Sequence, residues 1–177
     1  RWARTHLSDF KKNMQLNPHV LDEAKSSLDT TGFCRVADAF PRDQAKSLTE
    51  ELKQTTYGIA FTHKGKSEER TVEQIRQMPS AERKALYADI IQSAAKGVGF
   101  LYGRHFIDES SPAKMREFLA YWNSRELLEA FTEISGQKIV RASAQATCYD
   151  KANFLTRHND VVPSEGRVYA YVLGMTE

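Results

Sequence analysis

The sequence has few of the features that mark specialised protein classes. It contains two cysteines in 177 residues, Cys34 and Cys148, far apart and outside any C-x-x-C spacing. This excludes a disulfide framework or a cysteine-rich zinc site and favours a reducing compartment. With 9 Gly and 5 Pro it is neither collagenous nor of low complexity. Its 25 Lys and Arg nearly balance 23 Asp and Glu, for a net charge of +2, so charge indicates neither a nucleic-acid nor a membrane partner.

Long hydrophobic runs are also lacking. The longest, Tyr169 to Met175, is far too short to span a bilayer, and Arg1 to Lys12 has no apolar stretch of the kind found in signal peptides. We therefore expect a cytoplasmic protein. The chain has no initiator Met and ends at Glu177 in a strand-like run, so we expect it to be a fragment of a longer protein.

The length and the 41% hydrophobic content predict one folded domain over residues 1–177 with a single core. The hydrophobic period changes once, near Gly136. Residues 1–136 are predicted to be a mainly helical support region, and residues 137–177 alternate with a period of two. Helices followed by antiparallel strands indicate an α+β fold.

Capping residues and apolar spacing predict five helices. They begin at Asn17-Pro18, near Pro41, at Ser80, at Ser111-Pro112 and at Ser124, with stops predicted at Gly32 and Gly136. Phe33 to Phe40 is predicted to be a strand. Thr55 to Arg70 shows no sustained period and is predicted to be a mobile loop, either simply solvated or a substrate-gating lid around Lys64 and Lys66.

Three strands are predicted after Gly136. Lys138 to Tyr149 places small apolar residues on one face and polar residues with Tyr149 on the other. A turn at 150–153 separates it from a short strand, Phe154 to Asp160. After a second turn, alternation resumes from Arg167 onward.

His158-Asn159-Asp160 is the triplet of chemical interest. Residues two apart on a strand point the same way, about 6.6 Å apart along the chain, so an imidazole and a carboxylate here can bind one ion. With a second imidazole they would form the 2-His-1-carboxylate triad that binds Fe(II) and leaves positions open for substrate and O₂. An isolated H-x-D is a short motif, and such motifs also arise by chance.

The surrounding sequence narrows the interpretation. In the segment Ala146 to Asp160, Tyr149, a turn and Phe154-Leu155 precede H-x-D, and Gly166-Arg167 and an apolar strand follow it. This order closely resembles the start of the catalytic core of Fe(II)- and 2-oxoglutarate-dependent dioxygenases. The nearest resemblance is to the prolyl hydroxylase branch, including the ribosomal-protein prolyl hydroxylases. A weaker resemblance to the family's helical lead-in extends upstream to about Phe33.

The resemblance implies a fold, a chemistry and site residues. The fold would be a double-stranded β-helix, or jelly roll, supported by the N-terminal helices. His158 and Asp160 would be iron ligands, Tyr149 would contact 2-oxoglutarate, and Arg167 would lie near the pocket mouth and bind substrate. The cofactors would be Fe(II) and 2-oxoglutarate, with O₂ as cosubstrate and ascorbate as an accessory reductant. Because Asp160 is present, hydroxylation rather than halogenation is the implied outcome.

Two departures from the family pattern are present. The family's distal His and the basic residue that binds the far carboxylate of 2-oxoglutarate lie several dozen residues after H-x-D, beyond Glu177. Where many relatives have a second cosubstrate tyrosine, this sequence has Gly174. The other four histidines all lie upstream, and we assign none of them to the triad: His6, His19, His63 and His105.

Other interpretations stay open for the same residues. His158 and Asp160 could be an inert surface pair, Tyr149 a half-buried aromatic, and Arg167 a side chain that covers apolar surface. Cys148 beside His158 on a neighbouring strand could be a nucleophile, although nothing supplies an orienting third group. A non-catalytic module that binds a protein segment is the alternative function. A peptidyl proline is favoured as substrate only by resemblance, and small molecules and the oligomeric state stay open.

Overall fold

A computed structural model describes residues 18–36, 42–158, 160 and 166–175, and it is an α+β structure. The helices in this part of the chain are α1 (Pro18–Thr31), α2 (Arg42–Gln54), α3 (Val72–Gln77), α4 (Ser80–Ala95), α5 (Ala113–Trp122) and α6 (Arg125–Ser135). The strands are β1 (Gly58–His63), β2 (Lys66–Arg70), β3 (Phe100–Phe106), β4 (Gln145–Cys148) and β5 (Phe154–Leu155). The predicted fold class is confirmed at this level.

The chain forms two compact units. The first, here the helical unit, takes residues 1–54, 107–144 and 160–177, and the second, here the sheet unit, takes residues 55–106 and 145–159. Each unit has its own buried apolar cluster. Both units draw on segments far apart in sequence.

The helical unit is built around the inner faces of α2, α5 and α6. Its buried residues are Leu48, Met115, Phe118, Tyr121, Trp122 and Leu127. Met115 is fully buried, a burial that contributes about 2 kcal/mol. The Glu51 carboxylate of α2 accepts a hydrogen bond of 2.9 Å from the Met115 backbone N–H in the first turn of α5. A carboxylate at a helix N-terminus satisfies an unpaired donor and complements the helix dipole.

Residues 166–175 also belong to the helical unit, but they are extended chain in which no strand is assigned. The strand predicted from Arg167 onward is therefore not formed. The alternation still shows in packing: Leu173 and Met175 pack against the helical core, and Tyr171 stacks on Trp122 with ring centroids 4.3 Å apart. Val172 between them is almost wholly exposed.

The sheet unit is an antiparallel sheet in the order β2-β1-β3-β4, with β5 also pairing with β3. In this register, Ile59 of β1 lies opposite Arg70 of β2 on one side and opposite Gly103 of β3 on the other. One face of the sheet packs on α4 and α3. The buried side chains there are Phe61, Ile75, Leu86, Ile90 and Leu101.

The predicted mobile loop at Thr55 to Arg70 is wrong, because this segment folds as the β1–β2 hairpin. Its turn is Lys64-Gly65, and both residues have positive φ, 49° and 75°. Two left-handed residues form the tight turn whose twist matches that of paired strands. The signal was obscured because Lys rarely occupies such a position and because β2 is almost entirely charged.

Two further elements of the sheet unit lie in the predicted helical region. Phe100-Leu101-Tyr102, which the family resemblance assigns to the helical lead-in, instead begins strand β3 at the centre of the sheet. The short helix α3 was not predicted. It has a complete capping box, in which Thr71 Oγ1 accepts from Gln74 N–H and the Gln74 side chain accepts from Thr71 N–H. The T-x-x-Q pattern that could have revealed it is visible in the sequence.

β4 and β5 are two parts of one edge strand. Both run antiparallel to β3 on its side away from β1, so the five residues 149–153 stand opposite the single residue Tyr102. Asp150 and Asn153 close this bulge: the Asn153 side-chain oxygen accepts from Asp150 N–H at 2.9 Å, and Asp150 O accepts from Asn153 N–H at 2.9 Å. The predicted turn at 150–153 is therefore a bulge within an edge strand, not a link between neighbouring strands.

The helix ends show which sequence signals were reliable. Ser124 caps α6 and Gly136, with φ 64°, ends it, as predicted. Gly32, with φ 77°, follows α1, and Leu48 is buried on α2 as expected. Neither Ser80 nor Ser111 caps a helix: the N-cap residues are Pro79 and Pro112, and neither makes a side-chain cap bond. Residues 33–36 of the strand predicted at Phe33 to Phe40 form no strand, and residues 37–40 lie outside the described residues.

Candidate functional site

His158 lies just beyond the edge strand of the sheet unit. β5 ends at Leu155, so the predicted strand from Phe154 to Asp160 has only two residues. Thr156 ties the chain to Gly99, whose carbonyl accepts from both the Thr156 N–H, at 3.0 Å, and its hydroxyl, at 2.8 Å. The exposed His158 ring then turns back, and its Nδ1 lies 3.0 Å from the Thr156 carbonyl oxygen.

Asp160 belongs to the helical unit, and Asn159 lies outside the described residues. A carboxylate oxygen of Asp160 lies 3.8 Å from an Arg167 guanidinium nitrogen, with both side chains partly exposed. At this distance and exposure the ion pair is worth little to stability. Arg167, the predicted substrate-binding residue, thus lies beside the predicted iron ligand, and its role in binding substrate stays a prediction.

Tyr149 is the first residue of the bulge after β4, and its side chain is about half exposed. Its ring lies against Tyr102, with centroids 5.3 Å apart. Partial burial, and secondarily Tyr102, raises the pKa of the Tyr149 hydroxyl above its usual value, so it is a neutral hydrogen-bond donor at physiological pH. A neutral phenol of this kind can donate to a carboxylate ligand.

Cys148 is not placed as the alternative nucleophile requires. Cys148 is on β4 and pairs with Gly103 of β3. The segment leading to His158 continues along the same edge of the sheet, so the two residues are not on neighbouring strands as predicted. Burial, with a smaller effect of the Asp150 charge, raises the pKa of the Cys148 thiol. A raised pKa disfavours the thiolate, which is the reactive form.

A charged cluster on the hairpin was not foreseen from the sequence. His63 Nδ1 lies 2.9 Å from a Glu68 carboxylate oxygen, and His63 Nε2 lies 3.6 Å from Asp89 of α4. The second Glu68 oxygen accepts from Arg70 at 3.0 Å. The hydrogen bond from His63, and secondarily Arg70, lowers the pKa of Glu68 despite partial burial. Only recognition of the Lys64-Gly65 turn could have placed these side chains together.

No group of three or more His, Cys, Asp or Glu side chains within residues 18–36, 42–158, 160 and 166–175 is arranged to hold a metal ion. In the cluster on the hairpin, the two carboxylates lie at opposite nitrogens of His63 and cannot share one ion with it. A shallow groove along α4 is lined by residues between Ala85 and Ala95 and includes none of the predicted site residues.

Among the helices of the described residues, none has both the length and the apolar character needed to cross a membrane. No family model, curated protein or solved structure matches the chain. The features of this chain that indicate a function are therefore the H-x-D triplet, its sequence context and the local geometry on either side of it.

Proposed function

We propose that this chain is part of an Fe(II)- and 2-oxoglutarate-dependent dioxygenase of the prolyl hydroxylase type, with a jelly-roll core and a cytoplasmic location. The proposal is carried by the H-x-D triplet in a sequence context that resembles this family. The geometry at His158 supports it. A carbonyl oxygen can only accept, so the contact with Thr156 O requires the proton on Nδ1, and the neutral ring then carries its lone pair on Nε2.

That arrangement suits a metal ligand. Imidazoles that bind metals through Nε2 usually donate Nδ1–H to a carbonyl or carboxylate, which orients the ring. Asp160 would add a carboxylate that is exposed enough to reach an ion. By residue type, an imidazole and a carboxylate match two positions of the triad. The third, a second imidazole, and the basic partner of 2-oxoglutarate are required by the proposal and would come from sequence downstream of Glu177.

The bound iron would supply the oxidation, in which one O₂ converts 2-oxoglutarate to succinate and CO₂ and hydroxylates a substrate C–H bond. The chain's own residues would bind and orient. His158 and Asp160 would hold the ion, the Tyr149 hydroxyl would donate to a 2-oxoglutarate carboxylate, and Arg167 would fix the Asp160 carboxylate or contact substrate. Ascorbate would keep the iron reduced. A peptidyl proline is the proposed substrate.

The test uses the protein expressed from its complete coding sequence, with Fe(II) added anaerobically and succinate formation measured after 2-oxoglutarate and O₂ are supplied. His158→Ala and Asp160→Ala should each abolish succinate formation. His19→Ala and Asp29→Ala, which change the same residue types on the exposed face of α1, should leave it at the wild-type rate. Wild-type turnover in both site variants would refute the proposal.

A cheaper observation separates the proposal from the alternative. If the coding sequence past Glu177 contains neither a His nor, about one strand later, an Arg or Lys, the non-catalytic protein-binding module is favoured. If both are present but Fe(II) does not bind, the barrel has lost its activity and the binding module is again the better description.

A further inference from the structure

Thr156 makes two hydrogen bonds to one acceptor. Its backbone N–H and its hydroxyl both donate to the carbonyl oxygen of Gly99, at 3.0 and 2.8 Å. The backbone bond extends the pairing of β5 with β3 by one step. The hydroxyl bond is additional: it fixes the side-chain rotamer and gives the residue a second bond to Gly99. The Thr156 carbonyl begins the next peptide, on a residue that is held twice.

The acceptor is itself held in place. Gly99 has φ 103°, a conformation that favours glycine, and a Cβ there would lie 2.9 Å from Thr62 Cβ on β1. Before it, the chain leaves α4 through a turn in which Gly97 N–H donates to Ala94 O at 2.8 Å. The Gly99 carbonyl is thus located by both the end of α4 and the packing against β1.

The same peptide orients His158. The Thr156 carbonyl oxygen lies 3.0 Å from His158 Nδ1 and can only accept, so this contact selects the tautomer with the proton on Nδ1. We infer that Thr156 is a positioning residue for His158, with its hydroxyl bond to Gly99 aiming the carbonyl that fixes the imidazole tautomer and ring direction. The tautomer assignment uses the contact with Thr156, whereas its use in metal binding rests on the proposed function.

The experiment measures the tautomer directly in the metal-free protein. Long-range ¹H–¹⁵N correlation spectra of ¹⁵N-histidine-labelled protein near pH 8 report which ring nitrogen carries the proton. We expect the Nδ1–H form to dominate in the wild type. Thr156→Val keeps the shape but loses the hydroxyl, so it should shift His158 toward the Nε2–H form, and Thr156→Ser should restore the wild-type pattern.

Thr147→Val is the matched control, because Thr147 is an exposed threonine on β4 of the same edge strand and lies opposite Arg104. It should leave the His158 signals unchanged. Co(II) affinity of the complete protein, measured by titration, should fall about tenfold in Thr156→Val and recover in Thr156→Ser, as when an outer partner of a ligand is removed.

The outcomes separate the two proposals. A wild-type His158 that is mainly Nε2–H, or a tautomer that does not respond to Thr156→Val, overturns the positioning role whatever the variants do to stability. A tautomer that responds to Thr156 in a complete protein that binds neither Co(II) nor Fe(II) supports the positioning role and refutes the proposed metal function.

Discussion

Arg104 on β3 reaches across β1 to pair with Glu69 on β2. Its Nε and a terminal guanidinium nitrogen lie 2.8 and 2.7 Å from the same Glu69 carboxylate oxygen. The strand between them places Gly58 directly opposite Arg104. Because Gly58 has no side chain, the two charged groups meet above it, and a Cβ at Gly58 would lie 2.5 Å from the other Glu69 oxygen.

Gly58→Ala should therefore uncouple this ion pair. Glu69→Gln should cost about 0.5 kcal/mol of unfolding free energy in the wild type, since both groups are partly exposed, and almost nothing in the G58A background. Urea denaturation of the four proteins of this double-mutant cycle measures the coupling. Arg125→Gln, which breaks a fully exposed pair with Glu129 on α6, should leave the midpoint unchanged. Strict additivity in the cycle would show that Gly58 does not support the pair.

Thr71→Ala should destabilise α3 and the adjoining hairpin. It removes one half of the capping box, a change that typically costs about 1 kcal/mol. The matched control is Ser80→Ala, since Ser80 also begins a helix but makes no side-chain cap bond. Amide hydrogen exchange of residues 72–77 should be accelerated by the first change and not by the second. Equal effects of both would contradict the assignment of Thr71 as the cap.

Gly136→Ala tests the left-handed end of α6. Nothing lies within 4 Å of a Cβ at this position, so only the positive φ of 64° disfavours a side chain. We expect this conformation to cost about 1 kcal/mol of unfolding free energy. Gly174 also has open space around it but lacks a positive φ. Gly174→Ala should thus be neutral or slightly stabilising through the unfolded chain. Thermal unfolding of the two variants should show a lower midpoint only for Gly136→Ala.

Glu68→Gln should reduce the loss of stability in acid. The pKa of Glu68 is lowered from 4.5 in the folded protein, chiefly by the hydrogen bond from His63. Its stabilising contribution is therefore present above the unfolded value of 4.5 and is lost as pH falls through the lower folded value. Unfolding by urea between pH 6 and pH 3 measures this slope.

Tyr171→Leu should remove both an aromatic contact and a late-ionising phenol. The stacked pair with Trp122 contributes about 1 kcal/mol beyond simple burial. Burial raises the pKa of Tyr171 to about 12, so in the folded protein it ionises after ordinary tyrosines. Absorbance titration at alkaline pH should lose one late-ionising group in this variant. If the late-ionising part of the titration were unchanged in Tyr171→Leu, the buried phenol with the raised pKa would not be Tyr171.

The parts of the fold that were predicted correctly rest on local signals. Ser124 and Gly136 delimit α6 because a cap hydroxyl and a left-handed glycine act within a few residues of themselves. The alternation around Ala146 and Cys148 was recognised for the same reason, since a strand shows its two faces in its own sequence. The hairpin was missed because β2 is charged at every position except Ser67, so its strand character comes from pairing with β1 rather than from its residues.

In the candidate site, too, some features could be predicted from the sequence and others only the structure shows. The H-x-D triplet and its neighbours can be recognised in the amino-acid sequence, and the ligand roles of His158 and Asp160 stay a prediction. The contacts around these residues could not be predicted from the sequence. They are the hydrogen bond between His158 and the Thr156 carbonyl, the hydrogen bond from Thr156 to Gly99, and the contact of Arg167 with Asp160. Gly99 lies 57 residues from Thr156, a separation at which no local pattern indicates contact.

The amino-acid sequence by itself determined both ends of α6, the alternation of the edge strand and the residue types available for chemistry, because each depends on the backbone and side chains of one short segment. Only the tertiary structure decided which strands pair, that residues 149–153 bulge out of an edge strand, and which carbonyl His158 contacts. Those outcomes depend on distant segments competing to bury the same apolar faces and to satisfy the same backbone groups, and that competition is resolved only when the whole chain packs.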